Sequence, residues 1–141
     1  GIDLSNTDKT IEVYPISTGR VFKIYQDSCV SYSNTCPYRC NGRANVVKIR
    51  HNVNGGYIYS TYAHLSSVAN ISEGQLVTPD TLIGRMGNTG CSTGAHLHLE
   101  LTSCDWHKGG GCTWNEYVKS TINPTRYIGF PRTLRTTWNG R

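Results

Sequence analysis

The sequence predicts a mainly β fold, and three observations carry that expectation. Only 37% of the 141 residues are apolar and 16% are charged, with Gly, Ser, Thr, Asn and Tyr filling the difference. A helical bundle would need more Ala, Leu, Glu and Lys, whereas Thr-, Val- and Tyr-rich runs suit a pleated surface. Turn signals such as Asn54-Gly55, Glu73-Gly74 and Pro79-Asp80 recur along the chain and cut it into pieces of strand length. The length fits one ordinary domain, and no composition break marks a second.

Each element follows from the same cues. Residues 10–14 and 19–25 are β-rich and flank a turn at 15–18. Residues 28–45 form a Cys-, Asn- and Ser-rich excursion, read as a disulfide-pinned loop. Residues 45–51 read as a strand, Asn52-Val53-Asn54-Gly55-Gly56 as a hairpin turn, and 57–63 as the returning strand. Residues 66–82 read as a loop with one short strand, 82–86 as another short strand, 87–94 as a glycine-rich loop and 95–101 as a strand. Helical character is confined to 114–120. The domain is expected to span 1–130, with 131–141 a polar C-terminal tail.

Charge and cysteines bound the function. The net charge of +5 is a solubility feature on the bland reading, and on the sharper one it attracts a polyanion, such as nucleic acid or an acid-decorated cell wall with its anionic wall polymers. No nucleic-acid motif with mechanistic spacing is present, so nucleic acid is not an expected partner. No apolar run approaches the ~20 residues of a membrane span. Six cysteines fall at 29, 36, 40, 91, 104 and 112. None of them makes the C-x-x-C pairs of a zinc ribbon, and an even count in loop-rich sequence reads as disulfides in an oxidising compartment. Of the fifteen pairings open to six cysteines, Cys104 with Cys112 is favoured, because residues 105–111 can form a hairpin tip. The chain opens at Gly1 without Met, as a processed or trimmed chain does.

The histidines carry the chemistry. In Gly94-Ala95-His96-Leu97-His98-Leu99-Glu100-Leu101, residues at i and i+2 share a strand face. His96 and His98 therefore converge on one side, while Leu97, Leu99 and Leu101 point toward a core. Two adjacent imidazoles suit a metal, or one ligand beside one acid or base. The bland reading is solvated surface. The glycine-rich loop ahead of them lets a substrate backbone approach closely. His64, in Thr61-Tyr62-Ala63-His64-Leu65, ends a strand whose alternation places it at a sheet rim, and Asp3 lies between Ile2 and Leu4. On the bland reading Asp3 is a turn or cap carboxylate. His51 reads as structural and His107 as a solvent-exposed loop residue.

These elements resemble the lysostaphin-type (β-lytic) zinc metallopeptidases, the peptidoglycan endopeptidases whose pattern is H-x-G-x-D, Y-x-H-L and S-T-G-x-H-x-H-x-E. Gly1-Ile2-Asp3 matches the end of the first element and Tyr62-Ala63-His64-Leu65 the second. Ser92-Thr93-Gly94-Ala95-His96-Leu97-His98-Leu99-Glu100 matches the third, with Ala95 where Pro is frequent. The likeness covers residues 1 to about 130, Asn123-Pro124-Thr125-Arg126-Tyr127-Ile128 resembling the closing segment.

The resemblance implies an antiparallel β-sheet with a loop-walled groove and a Zn2+ cofactor at its floor. It makes Asp3 and His98 metal ligands. His64 and His96 become the catalytic pair that deprotonates the attacking water or stabilises the oxyanion. It implies a secreted hydrolase, extracellular or periplasmic and monomeric, that cuts peptidoglycan stem peptides or cross-bridges. Which bond is cut (Gly-Gly, D-Ala-Gly or D-Ala-diaminopimelate) stays open. The family's first ligand, a His four residues before Asp3, falls two residues ahead of Gly1, so the sequence supplies two ligands. Three explanations compete: the His lies ahead of Gly1, cleavage there inactivates the enzyme, or the chain is an inactive secreted binding module on the same scaffold. Retention of His64 and His96 speaks against the module.

Overall fold

Apolar residues at every second position give this chain a sheet with one dry face. In the computed structural model, residues 1–5, 11–27, 29–31, 44–92 and 94–123 are described. The elements are β1 (Ile2–Leu4), β2 (Glu12–Val13), β3 (Gly19–Tyr25), β4 (Val30–Ser31), β5 (Asn45–Val53), β6 (Gly56–Val68), β7 (Leu76–Val77), β8 (Gly84–Met86), β9 (Gly90–Cys91), β10 (Leu97–Thr102), α1 (Trp114–Lys119) and β11 (Thr121–Ile122). The main sheet runs β1-β10-β6-β5-β3-β7, with β11 beside β10 and β8 linking β6 to β2. Its pairings are antiparallel, whereas β4 and β9 form a separate parallel pair. The mainly β, groove-bearing fold expected from the sequence is the fold observed.

Sequence and structure differ in extent more than in kind. The β5–β6 turn has positive φ at Asn54 (47°) and Gly55 (80°), the requirement of a type I′ hairpin turn. β6 runs on to Val68, beyond the strand end expected at residue 63. From Leu65 onward it leaves β10 and pairs β8 (Leu65↔Met86, Val68↔Gly84). Tertiary pairing with β8 extends the strand into a Ser-rich stretch of low strand propensity. Helix α1 starts at a capping box, in which Thr113 Oγ1 accepts from the Glu116 amide and the Glu116 carboxylate accepts from the Thr113 amide. The expected tail at 131–141, the closing segment at 124–128 and most of the 28–45 loop lie outside the described residues.

On the dry face, Leu97, Leu99 and Leu101 of β10 are fully buried with Tyr62, Val47, Ile49 and Val21. Ile11, Val13, Leu65, Ile83 and Met86 close over them, each side chain being worth about 1.5–3 kcal/mol relative to exposure. The opposite face lines the groove. One cross-strand row carries Asp3, His98 and Ala63, and the next carries Glu100, Thr61 and Lys48.

The loop after β10 walls the groove. The Cys104–Cys112 disulfide forms as expected, with Cα atoms 5.9 Å apart, and Cys29 is also disulfide-bonded. Residues 105–111 do not form the expected hairpin tip. Asp105 turns inward to meet Lys48, and an isolated parallel bridge joins it to Gly111. The buried Lys48 ammonium needs a counter-charge, and that need overrides the local turn signal.

Candidate metal centre and its groove

Four residues from three parts of the chain meet at one end of the groove. Asp3 lies directly opposite His98 in the β1–β10 register, and Oδ1 of Asp3 accepts from His98 Nδ1 at 2.8 Å. The same oxygen is 3.6 Å from His96 Nε2. The His64 ring stands 4.8 Å from that of His96 and 6.1 Å from that of His98, centroid to centroid. Every site residue expected from the sequence is thus in one cluster. Asp3 is exposed and the three histidines are partly exposed, so solvent can reach the cluster.

Each side chain is held by backbone geometry. Strict alternation along β6 would send His64 to the same dry face as Tyr62. Instead His64 has φ 62°, a left-handed conformation that costs a non-glycine residue about 1–3 kcal/mol. The break lets both Tyr62 and Leu65 stay buried while His64 turns to the groove. Its Nδ1 donates to the Thr89 carbonyl at 2.6 Å, leaving the Nε2 lone pair free to accept a proton. His96 is fixed in the same way, its Nδ1 donating to the Gly94 carbonyl at 2.8 Å. Its amide bonds the Gly87 carbonyl. A Cβ at Gly87 would stand 2.2 Å from the Ser66 amide nitrogen, so only glycine lets the loop press this closely on β6.

The electrostatics favour an ionised carboxylate and a neutral base. Partial burial opposes ionisation of Asp3, but the His98 hydrogen bond and the three nearby imidazoles outweigh it and hold its carboxyl below the usual range. Burial lowers the His64 pKa, helped by His96 and His98 and opposed by the Thr89 carbonyl.

The donors fit zinc as far as they go. Two atoms bonded to one tetrahedral zinc at ~2.0 Å lie about 3.3 Å apart. The 2.8 Å between Asp3 Oδ1 and His98 Nδ1 is near that separation. A Cβ at Gly1 would stand 2.7 Å from His98 Cε1, so the glycine of the first motif gives the His98 ring its room. Among the described residues no group of three donors converges on one point.

The groove runs from this cluster along the wet face and encloses about 860 Å³. Sequence reasoning missed its other end. Lys48 is buried and bonds Asp105 at 2.5 Å, and its ammonium lies 4.6 Å from the centre of the Tyr117 ring. Burial opposes ionisation of Asp105, but hydrogen bonds from Lys48 and from the His107 amide and ring hold its carboxyl below the usual range. His107 is a correction. Its side chain is only 11% exposed, because Nδ1 donates to Asp105 and Nε2 accepts from the Tyr25 hydroxyl. His51 is structural as expected, buried between the Thr18 carbonyl and the Ser60 hydroxyl. The signal available for Lys48 was its alternation in β5, and for Glu100 its position two residues after His98.

The profile of peptidase family M23 matches residues 1–110. This chain belongs to that family. The peptidoglycan DD-endopeptidase ShyA of Vibrio cholerae is 39% identical over 75 residues, which are 53% of this chain and 16% of ShyA. The catalytic domain of the antimicrobial peptidase lysostaphin from Staphylococcus simulans superposes with a TM-score of 0.61 at 24% identity, over 90% of this chain and 76% of that one. A zinc-containing peptidase from Vibrio cholerae gives a TM-score of 0.50 at 27% identity, over 67% of this chain and 24% of that one. This M23 chain spans less than a fifth of the length of the curated relatives it matches.

Proposed function

We propose that this M23 domain is a secreted zinc endopeptidase that hydrolyses peptide bonds in peptidoglycan. The observation that carries the reading is the convergence of Asp3 Oδ1 with His98 Nδ1 and His96 Nε2, at 2.8 and 3.6 Å, at the end of an open groove. Asp3 and His98 would hold the metal, and the family pattern adds a histidine four residues before Asp3, outside residues 1–141. Bound zinc supplies a Lewis acid and a water of pKa about 7. His64 and His96 present Nε2 to the same space with Nδ1 tied to carbonyl oxygens. One accepts the proton of the attacking water, and the other faces the oxygen on which charge develops.

Support for the substrate comes from the peptidoglycan endopeptidase ShyA among the relatives and from the open groove of about 860 Å³ that His98 lines. Secretion is supported by disulfide bonding, no described cysteine being free, and no described helix is long and apolar enough to cross a membrane. The test is elemental analysis and wall hydrolysis on protein that carries the family's histidine four residues before Asp3. Near-stoichiometric zinc and hydrolysis, both abolished by a chelator, are expected. Protein that holds no zinc and cuts no wall preparation is instead the inactive binding module.

A further inference from the structure

We propose that the groove contains a subsite for a free primary ammonium close to the scissile bond, formed by the Glu100 carboxylate and the indoles of Trp106 and Trp114. The inference rests on the groove being a peptide site. It deepens that reading by naming a substrate class, a stem peptide whose diamino-acid side chain is unlinked, in preference to a polyglycine bridge, which carries no side-chain charge.

The position of Glu100 sets the geometry. It follows His98 by two residues on β10, which places it on the same face and about 7 Å further along the strand. Its Oε2 accepts from the Tyr117 hydroxyl at 3.3 Å and lies 3.9 Å from His98 Nε2. Among the described residues, no lysine or arginine nitrogen comes within 4.0 Å of it, the ion pairs of those side chains being with Glu73, Asp105 and Glu12. A partly exposed carboxylate inside a groove, with hydrogen bonds from one side only, is a ready partner for a cation.

The aromatic wall points the same way. Trp106 and Trp114 are 42% and 56% exposed and meet edge to face at 5.5 Å. Among the described residues, the cations found over rings sit on Tyr25, Tyr117, Phe22 and Tyr57 and none on an indole, although indole is the strongest such partner. Lys48 already shows what this environment does with an ammonium, pairing one with Asp105 against the Tyr117 ring. Of the other charged groups lining the groove, Asp27 accepts from the Cys29 amide and His107 is bound to Asp105 and Tyr25.

The test uses two Nα-acetylated stem pentapeptides, L-Ala-γ-D-Glu-L-Lys-D-Ala-D-Ala with the lysine ammonium free or acetylated, titrated into the protein by NMR. The free form should bind about tenfold tighter. Glu100→Gln keeps an oxygen acceptor for Tyr117 and should bring the free form to the level of the acetylated one. Trp114→Ala should lower the preference severalfold. Equal binding of the two peptides to the wild type, or equal weakening of both by Glu100→Gln, overturns the subsite and leaves the peptidase reading intact. If neither peptide binds, the subsite falls, and the zinc and wall-hydrolysis measurements alone decide the peptidase reading. The wild-type comparison needs no variant, so misfolding of one cannot obscure the result.

Discussion

The two ends of the groove are built on opposite principles. At the far end Lys48, Asp105, His107, Tyr117 and Tyr25 satisfy one another in a closed network, and a disulfide pins the loop that delivers Asp105. At the near end Asp3, His64, His96 and His98 are each anchored on one side only, and one of them sits on strained backbone. Both ends contain a histidine beside an aspartate, so residue type does not separate them. What separates them is valence. His107 has partners on both ring nitrogens, whereas His64 and His96 keep one nitrogen directed at a shared space. Chemistry is available at the end whose polar groups are incompletely used.

The largest expected effect is at the near end. His96→Ala and His64→Ala should each reduce wall hydrolysis by about 10²- to 10⁴-fold while leaving zinc content close to wild type, as turbidity assays and elemental analysis would show. Near-normal activity in either variant would erase the contrast, since the open nitrogens would then do nothing. At the far end the same kind of truncation should cost stability instead. Asp105→Ala strands the buried Lys48 ammonium and should lower unfolding free energy by about 3–5 kcal/mol, while the paired change Lys48→Met with Asp105→Leu should recover most of that loss in urea titrations. A single variant as stable as wild type would show that the network is not closed.

Reducing the Cys104–Cys112 bridge should cost about 2–3 kcal/mol, the loop-closure value for its short span. It should also weaken groove binding more than zinc content, because Asp105 and Trp106 sit inside the bridged loop. The smallest expected effect is a pH dependence. Burial lowers the pKa of His51, with the Thr18 carbonyl opposing, so the folded protein resists a proton that the unfolded chain accepts. Its stabilising contribution is present above the unfolded value of about 6.5 and declines as pH falls below it, by at most about 1.4 kcal/mol per pH unit. Urea midpoints at pH 7.5 and 5.0 should show a steeper acid loss in wild type than in His51→Asn.

The sequence was legible wherever a local rule was not overridden. Period-two alternation in residues 97–101 correctly separated the leucines from the histidines, and Asn54-Gly55 correctly marked its turn. The near end of the groove could be anticipated because motif spacing survives folding. The far end could not, for a physical reason. Lys48 and Asp105 are 57 residues apart and are joined only by the sheet, and nothing around Asp105 in the sequence distinguishes an inward turn from a hairpin tip. The exposure expected of His107 failed for the same reason, since its partner Tyr25 comes from β3. The reach of β6 past residue 63 depended on β8, which no property of Ser66 or Ser67 announces.

The pairing of Asp3 with His98 joins residues 95 positions apart, and neither side chain has any local reason to meet the other. Contacts of such long separation form late, after the loop entropy between them has been overcome by the intervening sheet. The Asp3–His98 pairing is therefore among the last features to appear as the chain folds. A nascent or partly unfolded copy holds the histidines of β6 and β10 without the carboxylate from β1, and so lacks the assembled cluster. Under the proposed endopeptidase reading, this topology delays wall cutting until the molecule is finished.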